Sequence, residues 1–303
     1  MIDAAWMLVR AIAISFTCVS QIGNGVAPAL QSPKAVAPKE IWIGDVLSRD
    51  NRLSYRDYVL EKRQRKVRYD YPREARSPSL WIDVSFAVLK RRGKVIARFD
   101  DNIYFGMGND TRFGLVSLLG SPAKQVVISQ DISRGGTQWV VALSQRPRVI
   151  FDGPRWSVGR EGDDVGIVDL DGDAVFEITV PITDFYELQD KLSMSQIPLP
   201  TIVFKYDPQR RKYLPANPVF SGDLIMDAGA LDEDVTGSDE FALRAAVLDK
   251  MLTYIYVGKE KQAWDFYDRS YKLSDKEEIR HCVKAILNRQ PVYKFIYNQR
   301  RSA

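Results

Sequence analysis

Val165-Gly166-Ile167-Val168-Asp169-Leu170-Asp171-Gly172-Asp173-Ala174-Val175-Phe176-Glu177-Ile178-Thr179-Val180 sets four acidic side chains within nine positions, between two apolar runs. Both runs are rich in β-branched residues and read as strands. Asp169, Asp171, Asp173 and Glu177 fall on loop places one, three, five and nine. A tight loop at that spacing turns its carboxylates onto one hard cation. Calcium takes about 6–8 oxygen ligands, and the carbonyl of Val175 at place seven supplies a further one. Gly172 relieves the turn sterically. The helical calcium hand fits less well, because its twelfth place calls for a bidentate Glu and here holds Val180. A solvated acidic turn without an ion is the plainer alternative.

The string D-L-D-G-D-A-V-F-E, Asp169 to Glu177, resembles the calcium loop of FG-GAP repeats, the blades of integrin-type β-propellers. The resemblance implies Ca2+ held by Asp169, Asp171, Asp173 and Glu177, and it covers about one blade. Ala174 departs from the Gly usual in that family. If the position needs a positive φ, Ala174 strains the loop by about 1 kcal/mol.

A similar layout recurs along the chain. Trp81–Leu89 leads through Lys90-Arg91-Arg92-Gly93 into Lys94–Phe99. Trp139–Leu143 leads through Ser144-Gln145-Arg146-Pro147 into Arg148–Phe151. Ile202–Tyr206 leads through Asp207-Pro208-Gln209-Arg210 to Lys212-Tyr213-Leu214. Each is an apolar strand, a basic turn and a second strand opened by a basic residue. Gln125–Ile128 and Phe176–Val180 add a strand ahead of the last two. Three such units fall short of the four blades that closed propellers typically need. The expected fold is therefore mainly β with a C-terminal α-helical segment: an incomplete or open β-propeller-like sheet array, with a β-sandwich as the alternative.

The segments around these units are less regular. Ile41-Trp42-Ile43 reads as a short edge strand before Gly44. Residues 50–80 mix basic side chains with tyrosines, but Glu61, Asp70 and Glu74 interrupt the run, which reads as a solvated strand pair or irregular arm. Asn102–Gly120 and Pro181–Pro200 read as loops closing the ends of the sheets, the second holding a short helix.

With 303 residues the chain has room for one large domain or two ordinary ones, and a 45% hydrophobic share promises a sizeable core. A formal charge of +4 is small for this length and argues against a nucleic-acid partner. Residues 1–29 read as a signal peptide, with the apolar run Ala11–Ser20 behind Arg10 and an A-x-A-like site at Ala27-Pro28-Ala29. A start at Met7 gives a cleaner leader than one at Met1. The run is too short to span a bilayer, so no stable membrane span is expected after cleavage, and the location expected is periplasmic or secreted. Cys282 is then the single cysteine. Residues 30–40 read as a linker, 41–225 as the β-rich propeller-like domain, 226–239 as an acidic linker and 240–303 as an α-helical domain.

In that last part Ser238 is the expected cap of a helix over Phe241–Val257, with an apolar stripe of Phe241, Ala245, Leu248, Leu252 and Ile255 and a stop at Gly258. A second helix is expected over Lys259–Tyr271 and a third over Lys276–Leu287. Tyr254, Ala263, Tyr267 and Ser270 stand at the aromatic and small positions of a tetratricopeptide repeat, which the hairpin resembles. Met251 and Asp275 depart from the Gly and Pro frequent in that family.

Nothing in the sequence assembles catalysis. His281 is the one histidine, and its neighbour Cys282 points about a hundred degrees away on a helix, which tells against a dyad. Carboxylates such as Glu161, Asp163 and Asp164 leave an exported hydrolase as an alternative. The expectation is an exported binding protein with a protein or glycan partner and no catalytic residues. A scaffold acting through the helical tail is the other alternative.

Overall fold

The structure is a computed structural model, and it describes residues 39–69, 80–101, 109–132, 135–159, 165–231 and 239–301. The leader, the cleavage site, Glu161, Asp163, Asp164 and residues 232–238 of the acidic linker, Ser238 among them, lie outside the described residues. Ala37–Ala303 form one compact unit.

The fold is mainly β, three antiparallel sheets followed by helices. Strand β1 (Lys39–Trp42) runs into a helical turn, α1 (Ile43–Val46). The first sheet is the meander β2 (Arg52–Tyr55), β3 (Tyr58–Tyr69), β4 (Leu80–Arg91) and β5 (Lys94–Phe99). The second is the meander β6 (Asp110–Val116), β7 (Gln125–Ile132), β8 (Gly135–Ala142) and β9 (Arg148–Asp152), followed by a helical turn, α2 (Gly153–Trp156). The third is β10 (Gly166–Asp169), β11 (Glu177–Pro181), β12 (Thr201–Asp207) and β13 (Lys212–Pro215), and here β1 returns to pair with β10 as the edge strand.

The sheets stack with the second in the middle. Val126, Ile128, Trp139 and Val141 share a core with Leu60, Ala87, Leu89 and Phe99 of the first sheet. Their alternates Val127 and Val140 share the other core with Ile178, Val180, Ile202 and Phe204 of the third. Side chains along a strand alternate between faces, so a sheet buried on both sides needs apolar residues at every position. That is why Val126–Ile128 and Trp139–Leu143 read as unbroken apolar runs.

The three expected hairpins are present, β4–β5, β8–β9 and β12–β13. Arg92 and Gly93 both take positive φ, 48° and 79°, as a two-residue turn between twisted strands requires. Residues 50–69 form the strand pair β2–β3, whose longer member pairs along its whole length with β4. The expected loop Asn102–Gly120 is corrected in its second half, which is strand β6. Gly114 hides the pattern there. It is glycine because a Cβ would stand 1.9 Å from the carbonyl oxygen of Val46 in α1. Pro181–Pro200 carries two 3-10 helices, Asp184–Asp190 and Met194–Gln196.

After α3 (Ser221–Ala228), the C-terminal region holds α4 (Glu240–Tyr256), α5 (Glu260–Ser270), α6 (Lys276–Arg289) and α7 (Pro291–Arg301). Asp239 caps α4, its carboxylate accepting from the backbone N–H of Ala242, and Gly258 ends the chain's turn at φ 85°. Phe241 leaves the expected stripe and is 58% exposed. The buried face is instead Val247, Leu248, Met251, Leu252, Tyr254 and Ile255, because α4 packs on α5 and on the 3-10 helix Met194–Gln196. α7 is an additional helix, opened by Pro291, whose missing N–H costs nothing in a first turn. The helices share a single core with the third sheet. Gln290 donates to the carbonyl of Trp156 at 3.0 Å, and Arg289 pairs with Glu187. No described helix is long and apolar enough to cross a membrane.

A candidate cation site between β10 and β11

The acidic stretch is a loop joining two paired strands. Val168 pairs with Glu177 across β10 and β11, which leaves residues 170–176 to turn. Gly172 and Ala174 turn it, at φ 74° and 65°. Carboxylates hold the remaining backbone: Asp169 Oδ2 accepts from Ala174 N–H at 3.1 Å, and Asp173 Oδ1 from Val175 N–H at 2.7 Å. Glu177 Oε2 accepts from Leu170 N–H at 2.8 Å. Val175 bridges to Leu119, and Phe176 N–H donates to Leu118, so the loop's far side docks on the segment after β6.

The loop's carboxylates converge. One oxygen each from Asp169, Asp171 and Glu177 lies within 4.8 Å of the others. Asp173 stands outside that trio but faces the same centre through its second oxygen, which accepts from Lys205 Nζ at 3.0 Å. Lys205 also donates to Asp171 Oδ2, and to Glu177 Oε1 at 3.3 Å. The ammonium therefore stands where the sequence reading expects a metal. The sheet register puts it there: Ile178 pairs with Phe204, so the next step across the β11–β12 ladder sets Glu177 against Lys205. Directly opposed residues share a face.

The electrostatics follow from burial. Glu177 is fully buried. That burial lifts its carboxyl above the ordinary range, although the N–H of Leu170 and the charge of Lys205 pull the other way. Burial opposes the charge on Lys205 too, but hydrogen bonds to Asp171 and Asp173 outweigh it and hold the ammonium above its ordinary value. Burial of Asp173 is outweighed by the Val175 N–H and by Lys205, leaving its carboxyl low. Asp169 Oδ1 is buried without a hydrogen-bond partner. Beneath the loop, Tyr213 Oη donates to the carbonyl of Phe176 at 2.9 Å and fixes the start of β11.

The donor set is all hard oxygen, which suits calcium, but three of its four carboxylates, those of Asp171, Asp173 and Glu177, already share one internal cation. A metal would have to displace the ammonium. Lys205 is the functional residue that sequence reasoning missed. Its signal was a lone charge inside the apolar run Ile202-Val203-Phe204-Lys205-Tyr206. Away from this site, His281 is exposed on α6 and Cys282 is half-buried beside it.

Comparison with protein-family models, with curated proteins and with solved structures finds no match to this chain.

Proposed function

We propose that this chain is a binding protein, exported to the periplasm or beyond, whose acidic loop takes calcium in competition with Lys205. The observation that carries the metal reading is the convergence of Asp169, Asp171 and Glu177 oxygens, with Asp169 Oδ1 buried and unpartnered. Asp173 and the carbonyl of Val175 complete the proposed ligands. The export reading rests on the leader-like layout of residues 1–29 alone. The resemblance to FG-GAP repeats gains support from three stacked four-strand meanders, each of which we read as a blade of an open propeller-like array. The helical hairpin α4–α5 buries Tyr254, Ala263 and Tyr267, in keeping with its tetratricopeptide resemblance, and adds to the core that continues into the last sheet. A protein or glycan partner suits such an architecture better than bond-breaking, since among the described residues no acid–base pair is set in a cleft.

The test is a thermal melt with calcium and with chelator on wild type, Asp171→Ala and Lys205→Gln. Lys205→Gln leaves Asp171, Asp173 and Glu177 without a cation. Deleting one partner of a buried ion pair costs about 3–5 kcal/mol, and partial exposure of Lys205 reduces this to about 2. Calcium should restore the loss in Lys205→Gln, raise wild type slightly and leave Asp171→Ala unmoved. A melt of Lys205→Gln that calcium does not raise refutes the calcium reading.

A further inference from the structure

We propose that the three basic hairpin turns form one continuous rim that binds an acidic polysaccharide. Each four-strand meander joins its third and fourth strands through a turn loaded with cations: Lys90 to Lys94 in the first, Arg146 and Arg148 in the second, Arg210 to Lys212 in the third. The turns lie together. Arg91 donates to the carbonyl of Gln145, and Tyr58 Oη to that of Ser144, joining the first turn to the second. Val149 and Ile150, just past the second turn, line one cleft with Arg210 and Lys212 of the third. The neighbouring β2–β3 turn adds Arg56 beside Arg92, whose N–H donates to the carbonyl of Asp57 at 3.0 Å.

Charge there is in excess. Asp57 holds Arg91 and Arg92, Glu61 holds Lys90, and Asp207 holds Arg210. Arg56, Lys94, Arg146, Arg148, Arg211 and Lys212 have no ion pair among the described residues, and all six are exposed.

Backbone geometry is an independent pointer. Arg56, Arg92 and Arg211 are three of only five non-glycine residues with positive φ among the described residues, at 54°, 48° and 53°. Glycine or asparagine takes that conformation more readily, and strain retained at an exposed tip points to a use for the side chain.

The spacing and the cleft choose the polyanion. Stacked sheets set their turns about 10 Å apart, whereas duplex DNA carries a charge every ~1.7 Å along its axis. Such sparse tips match one acid group per sugar or two. The cleft, ≈ 290 Å³, combines Arg155 and Lys212 with the rings of Trp156 and Phe295, and with Asp152. Aromatic faces receive a sugar ring, the cations its carboxylate, and Asp152 its hydroxyl protons, donors that a phosphodiester lacks.

This inference rests on the reading of the chain as a binding protein but not on its calcium loop. Its test is titration of the full chain with oligogalacturonide in calcium-free buffer, beside neutral dextran, duplex DNA and phosphatidylglycerol vesicles. Oligogalacturonide should bind, weakening about tenfold between 50 and 200 mM salt as screening shortens. Dextran should not bind. A Lys94→Glu, Arg146→Glu, Arg211→Glu variant should lose about tenfold or more with its melt unchanged, and Arg155→Ala about fivefold. Asp171→Ala should bind as wild type does, which separates failure of the rim from failure of the calcium site. No binding of oligogalacturonide, tighter binding of DNA or vesicles, or full affinity in the triple variant would each overturn the proposal.

Discussion

Ala174 holds a backbone conformation that glycine takes freely, φ 65°. Its carbonyl also lies against Gly120, whose own Cβ would come within 3.1 Å of it. The loop cannot relax outward without losing that contact and the Val175–Leu119 bridge. Ala174→Gly should therefore stabilise the protein by about 0.5 kcal/mol, the strain of about 1 kcal/mol released less the added freedom of the unfolded chain. A denaturant titration measures it, and an unchanged or lower midpoint would show that the loop is not strained at this position. At this scale the sequence shows the acidic loop well: local spacing sets four carboxylates on one turn, and the Ala-for-Gly departure is visible in the string itself. It does not show what fills their centre. Lys205 lies on another strand, and only the β11–β12 register, fixed by the global fold, brings it opposite Glu177.

Elements follow local pattern wherever one face is dry, or both are. Hairpins β4–β5, β8–β9 and β12–β13 are legible because turn residues and apolar runs agree. β6 is not, because its signal is split by Gly114, a residue chosen for a neighbour's backbone rather than for its own strand. Gly114→Ala puts a methyl group where the carbonyl of Val46 stands, at 1.9 Å, and backbone on both sides has no rotamer to escape into. Overpacking of this kind costs about 1–3 kcal/mol, occasionally more, and this position belongs at the upper end. The loss should appear as a lower denaturation midpoint. A neutral result would mean that α1 does not rest on β6. Phe241 shows the opposite limit: helical periodicity places it on the stripe, but burial depends on which part of α4 is covered by α5 and the 3-10 helix Met194–Gln196, and that is tertiary information.

The molecule is held together at the seam between the third sheet and the helices, and that seam titrates. Asp184 opens the 3-10 helix there, and burial, with the nearby charge of Glu187, pushes its carboxyl up to about 6, against the pull of Arg289 and a hydrogen bond with Ser157. A carboxyl raised on folding favours the native state when protonated. Its contribution is full below the unfolded value of 3.8 and is lost as pH rises through about 6. Asp184→Asn should thus add about 2 kcal/mol at pH 8 and nearly nothing at pH 4, measured as urea midpoints at the two pH values. Equal gains at both would remove the titration from the account. The stacking order of the sheets was legible only in part. Unbroken apolar runs in β7 and β8 signal a sheet covered on both faces, but which sheets cover it is written in no local window.

The pairing of Lys39–Trp42 with β10 has a consequence for how the chain is made. The ribosome releases this strand more than a hundred residues before the partner it seeks. Until Gly166–Asp169 emerges, this segment has no ladder to join, so the third sheet takes its edge from a strand made long before the rest of it. Strictly sequential growth cannot complete that sheet, and Lys39–Trp42 waits for a later part of the chain to arrive.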